Sequence, residues 1–145
     1  MKRYAAAAFA VGVLAVAGPA QDAADAAKKI AGTYTVVSLS EGGRESNKDT
    51  SNITFVITGD TITITDGDRK KEAARFRLDP SKSPAHIDLK PTPDKTMLGI
   101  YQTKATKAGL ELTIAFTKDE QARPKDFATD NADGIVVKLL RPAAK

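Results

Sequence analysis

Among 145 residues there is no cysteine and no tryptophan, one histidine, and aromatic side chains make up 6% of the chain. The missing cysteine excludes disulfides, thiol catalysis, zinc-thiolate sites and a lipid anchor carried on cysteine. With His86 alone, a Ser-His relay and an ordinary zinc site would have to share one imidazole. No serine stands in a Gly-x-Ser-x-Gly context, and Gly42-Gly43 and Gly59 read as turns rather than phosphate cradles. The eighteen Asp and Glu leave a carboxylate pair open, but their places on unrelated loops say nothing about separation. The sequence therefore discloses no specific activity, no metal site and no cofactor, and we read the protein as a non-enzyme.

An excess of one charge is lacking as well. The 22 Lys and Arg against 18 Asp and Glu give +4, and Lys2 and Arg3 fall in a leader expected to be removed, leaving 20 against 18. A net of about +2 is too small to argue for a nucleic-acid partner. The basic run Arg69-Lys70-Lys71 lies at an expected hairpin tip, with Lys82 and Lys90 scattered elsewhere. None has the aromatic interleaving of a nucleic-acid platform. Long apolar runs are also absent: the longest, Ala5 to Ala17, has thirteen residues, where a membrane span needs about 20.

What is present at the N-terminus is a targeting pattern. Met1-Lys2-Arg3 supplies a positive start, Ala5 to Ala17 an apolar stretch, and Gly18-Pro19-Ala20 a small-residue end. Residues 1–20 read as a secretory signal peptide, cleaved after Ala20 or nearer Ala24 to Ala27, so the protein is expected to be exported, periplasmic or secreted. Residues 21–29, alanine-rich and polar, read as a short helix or tether leading into a domain over 30–142.

From Ile30 onward the texture is one of short alternating runs. We expect eight strands: Thr33 to Ser40, Ile53 to Thr58, Thr61 to Thr65, Ala74 to Leu78, His86 to Lys90, Met97 to Lys104, Leu110 to Phe116 and Ile135 to Arg141. In the first, Tyr34, Val36 and Ser38 would face one way and Val37 and Leu39 the other. Gly59-Asp60 between two such runs signals a hairpin, and Pro142 ends the last run. β-branched residues in period-two alternation argue for an antiparallel sheet with one buried face. Sequential strands with short connections suit an eight-stranded up-and-down barrel, which removes exposed edges; a two-sheet sandwich fits the same count.

The pieces Gly32-Thr33-Tyr34-Thr35-Val36-Val37-Ser38-Leu39, Ser83-Pro84-Ala85-His86-Ile87-Asp88-Leu89, Leu98-Gly99-Ile100-Tyr101, Leu110-Glu111-Leu112 and Arg123-Pro124-Lys125-Asp126-Phe127 resemble a family of small lipocalin-like domains of unknown function common in planctomycete bacteria. The resemblance covers about residues 30–142 and implies a lipocalin-like barrel in an exported setting. Where that family has Gly-x-Trp, this chain has Gly32-Thr33-Tyr34, so Tyr34 would fill the tryptophan's space less completely, and its hydroxyl needs a partner if buried.

Three candidate groups follow. His86 and Asp88, two apart on a strand, project from one face and would share a proton or a metal, or simply form a solvated face. Arg123, held by Pro124 and near Phe127, would either clamp an anion or lie at the barrel rim, paired with an acid, while Phe127 caps the barrel. Phe55, Ile57, Ile64, Phe76, Leu89, Tyr101, Leu112, Ile114 and Val137 would line the barrel interior, where a small apolar or amphipathic ligand is the first expected partner. The alternative is a filled barrel that acts as a scaffold in the cell envelope, recognising a protein or surface polymer through the loops Glu41 to Asn52 and Lys118 to Asp133.

Overall fold

The computed structural model describes residues 19–68, 70–117, 122–128 and 134–143. Residues 1–18 of the expected leader, Arg69 of the basic run and much of the 118–133 loop lie outside them. One helix, α1 (Pro19–Ile30), precedes nine strands: β1 (Gly32–Glu41), β2 (Arg44–Glu45), β3 (Ile53–Thr58), β4 (Thr61–Asp66), β5 (Lys70–Asp79), β6 (Ala85–Thr92), β7 (Lys95–Thr106), β8 (Gly109–Thr117) and β9 (Gly134–Pro142). Each strand from β3 onward pairs antiparallel with its successor, β1 pairs with β3, and β1 also pairs with β9. That last pairing, Thr35↔Leu140 to Glu41↔Ile135, closes the sheet into an eight-stranded antiparallel barrel, and it decides against the open sandwich. β2 is an extra edge piece that pairs only with Ser40 and Glu41.

The alternation expected in β1 fails at one point. The register against β9 shifts between Val36 and Ser38, so Val37 is a bulge residue and is 54% exposed. A bulge inserts one residue and reverses the facing of those beyond it. Leu39 therefore packs inward with Tyr34 and Val36 instead of opposite them. Nothing in a single strand's period reveals such an insertion.

Residues 21–29 form most of α1, and the helix is part of the barrel's core: Ile30 is buried in it and Ala26 and Ala27 pack against it. Its last turn is tied down at three points. The Tyr34 hydroxyl donates to the Ile30 carbonyl at 2.8 Å. The Arg141 guanidinium donates to the Lys29 carbonyl at 3.0 Å and to that of Ala31, and it lies 5.9 Å from the Tyr34 ring centre. Burial holds the Tyr34 phenol above its ordinary 10, against the opposing pull of the Arg141 charge. Gly32 makes this arrangement possible, since its φ is +141° and a Cβ there would stand 2.6 Å from the Arg141 Cδ.

Candidate functional site

All nine residues expected inside the barrel belong to the interior. Ile57, Phe76, Tyr101, Leu112, Ile114 and Val137 are buried members of the core, and Phe55, Ile64 and Leu89 are partly buried against it. Ile62, Leu78, Ile87 and Leu139 join them. A side chain beside a water-sized void keeps some area in contact with that space. Tyr34, Ile87, Leu112 and Leu139 keep none, so at their level the axis is filled by side chains, as a barrel of eight strands permits. The less tightly covered residues, Phe55 and Ile64, stand one rung above the Ile57↔Ile62 pair.

A cavity opens instead through the side of the barrel. β4 pairs with β5 only as far as Thr61↔Arg75, while β5 runs on to Asp79 along β6. The last tie across this gap is the Phe76 amide donating to the Asp60 carbonyl at 2.8 Å. α1 lies beside the extended end of β5 and leaves a cleft of about 790 Å³. Its helix wall is formed by Ala23, Ala24, Ala27, Lys28 and the following Ala31, and its apolar floor by Phe76 and Leu78. Gly59, Asp60, Arg75, Arg77, Asp88 and Lys90 complete the rim. Arg75 is ion-paired with Asp60, which holds that carboxyl below its ordinary 3.8, chiefly through their hydrogen bond.

His86 and Asp88 do share the outer face of β6, opposite Ile87. Asp88 is engaged there. Arg123 reaches from the segment after β8, placing Nη2 2.7 Å from the Asp88 Oδ1 and donating from Nη1 to the Gly99 carbonyl at 2.7 Å. The Asp88 contact is an ion pair without the alignment of a hydrogen bond, since Oδ1 is itself buried and has no hydrogen-bond partner. The guanidinium sits on the outer wall of the barrel with a carboxylate and a carbonyl already taken. Phe127, in the same segment, is half-buried. Residues 122–128 cover this wall: Pro124, Lys125, Asp126 and Ala128 enclose about 40 Å³ with Ala115 and Val136. That cover explains why Ile100 and Ala115, partners on the outward row with His86, are almost fully buried although they stand outside the core cluster.

Comparison with protein-family models, with characterised proteins and with solved structures found no match to this chain. Among the described residues no three His, Asp or Glu side chains gather as metal ligands, and no helix is long and apolar enough to cross a membrane.

The sequence reading did not single out Lys28, Arg77 or Lys90 as a group. Arg77 was legible as an outward residue of β5, but that Lys90 lies beside it depends on the β5–β6 register. That Lys28 lines the same cleft depends on where the helix docks.

His86 carries a measurable signature. Burial, and then the nearby Arg123 charge, lower its pKa from the ordinary 6.5, with Asp79 and Asp88 pulling it back and Lys82 adding to the fall. The folded protein then holds this proton less well than the unfolded chain does, so stability falls as pH drops through about 6.5 toward the folded pKa. Asp49, Asp60 and Asp79, all lowered from 3.8, lose their contribution in a separate, more acidic window. The His86→Gln variant should show a flatter dependence of urea midpoint on pH between about 7.5 and 5 than the parent. An unchanged slope would show that another group titrates there.

Proposed function

We propose that the protein is an exported binding module of the lipocalin-like kind, and that it takes a small, largely apolar or amphipathic ligand in the side cleft between α1 and β5. The cleft carries the reading. Its volume falls in the usual range for small-molecule sites, roughly 300–1,000 Å³, and it combines an apolar floor with polar groups at the rim. The interior expected from the sequence is the weaker location, because side chains occupy it. The filled axis also supports a second reading, a rigid envelope scaffold that recognises a protein or surface polymer through its loops.

Titration with 1-anilinonaphthalene-8-sulfonate tests the first reading. One saturable site is expected, and Ala24→Trp, which fills the cleft from the exposed side of the helix, should weaken it by about tenfold or more, some 1.4 kcal/mol. Native mass spectrometry of the protein as purified should show whether a molecule travels with it. Absence of saturable binding would count against the cleft and in favour of the scaffold, and pull-down from envelope extracts would then test that reading.

A further inference from the structure

We infer that the cleft's ligand carries an anionic head, a carboxylate or a phosphate monoester, held at the rim by Arg77, Lys90 and Lys28 while its apolar body meets Phe76 and Leu78. This rests on the cleft being the ligand site. Two carboxylates reach the cleft, Asp60 and Asp88, and both are already matched. Asp60 takes Arg75, and Asp88 takes Arg123, which comes from the far side of β6 and does not line the cleft. Three lining cations are left over, Lys28, Arg77 and Lys90, and none of them lies within ion-pair distance of an acid among the described residues: Asp88, across the strands from Arg77, makes its ion pair with Arg123.

Strand register brings two of these together. Arg77 lies opposite Asp88 and Arg75 opposite Lys90, which makes Arg77 and Lys90 diagonal neighbours on the outer face of β5–β6. Diagonal Cα atoms are roughly 7–8 Å apart, within reach of long side chains that converge on one group. Lys28 lines the same cleft from the last turn of α1. Like charges held this close repel one another, and an anion between them relieves that repulsion. A guanidinium also binds a carboxylate or phosphate in a fork, with two parallel hydrogen bonds. A neutral apolar ligand would use the floor and leave these charges unanswered; a cationic one would be repelled. The chemistry that answers both parts of the cleft is an anion joined to an apolar body.

Calorimetric titration of the full protein at low salt, below each probe's micelle concentration, tests this with four molecules of equal chain length and one without a chain. Dodecanoate and dodecyl phosphate should bind. Dodecanol should bind about tenfold more weakly or less, and dodecyltrimethylammonium not measurably. Inorganic phosphate should bind far more weakly than dodecyl phosphate. Added salt should weaken the two anions and leave dodecanol unaffected. Arg77→Gln and, separately, Lys90→Gln should each lower dodecanoate affinity about five- to tenfold with dodecanol unchanged; both side chains are exposed, and an unaltered urea midpoint shows that the fold is intact. Equal binding of dodecanol and dodecanoate, insensitive to Arg77→Gln, overturns the anionic head and leaves the cleft standing. Inorganic phosphate binding as tightly as dodecyl phosphate overturns the apolar body. Failure of every chain, dodecanol included, removes the cleft itself.

Discussion

Replacing Tyr34 with alanine is expected to lower unfolding stability by about 3–5 kcal/mol, the range for removing a buried aromatic ring. The ring has no exposed surface, and three elements meet on it: α1 through the Ile30 carbonyl, β3 through the Tyr34↔Phe55 pair, and β9 through the Arg141 guanidinium. Deletion leaves a void among side chains fixed by the closed sheet, which has little freedom to collapse. Small domains are stable by about 5–15 kcal/mol, so the loss is a large fraction of the whole. Tyr34→Phe separates ring from hydroxyl. It keeps the volume, leaves a buried carbonyl without its donor, and should cost about 1–3 kcal/mol. Urea midpoints at constant slope check both. A Phe variant as damaged as the Ala variant would mean that the hydrogen bond, not the packing, holds α1 in place.

The barrel could be read from the chain because each strand wrote its own period. Phe55, Ile57, Ile64, Phe76, Leu89, Leu112 and Ile114 alternate with polar or outward residues, and every one of them packs on the interior. Where the strand facing went astray, in β1, an inserted residue at Val37 broke the period, and only the pairing with β9 exposes it. The site was less legible for a related reason. A cleft formed by a short strand and a docked helix depends on where β4 begins relative to β5 and on how α1 lies. Neither is encoded in the alternation of a single segment. The stretch around His86 drew notice through its lone imidazole, yet its neighbours belong to a wall: Asp88 takes Arg123, and Ile100, the cross-strand partner of His86, is buried. Tyr34 was legible in advance as a buried hydroxyl in need of a partner, but the carbonyl that supplies it, on α1, was not.

Arg141 depends on two glycines, and the second gives the other large effect. Gly32 yields space to its side chain; Gly109, which opens β8 opposite Pro142, yields space to its backbone. Gly109 has φ of +142°, and a Cβ there would stand 2.0 Å from the Arg141 carbonyl oxygen and 2.7 Å from the Ala143 amide nitrogen. Both obstacles are main chain, so no rotamer change relieves them. Gly109→Ala must either strain a backbone that L-residues rarely adopt or push the end of β9 away, and we expect a loss of about 3–5 kcal/mol. The second route has a consequence beyond stability. If β9 moves at Arg141, the donors to the Lys29 and Ala31 carbonyls move with it, and α1 loses its hold on the barrel. Amide exchange should then rise over residues 26–31 as well as at the β8–β9 end, while the β3–β4 hairpin stays protected. Because α1 is one wall of the cleft, binding of 1-anilinonaphthalene-8-sulfonate should weaken in the same variant under conditions where it remains folded. Exchange that rises only at β8 and β9, with the helix unaffected, would show that Tyr34 alone suffices to hold it.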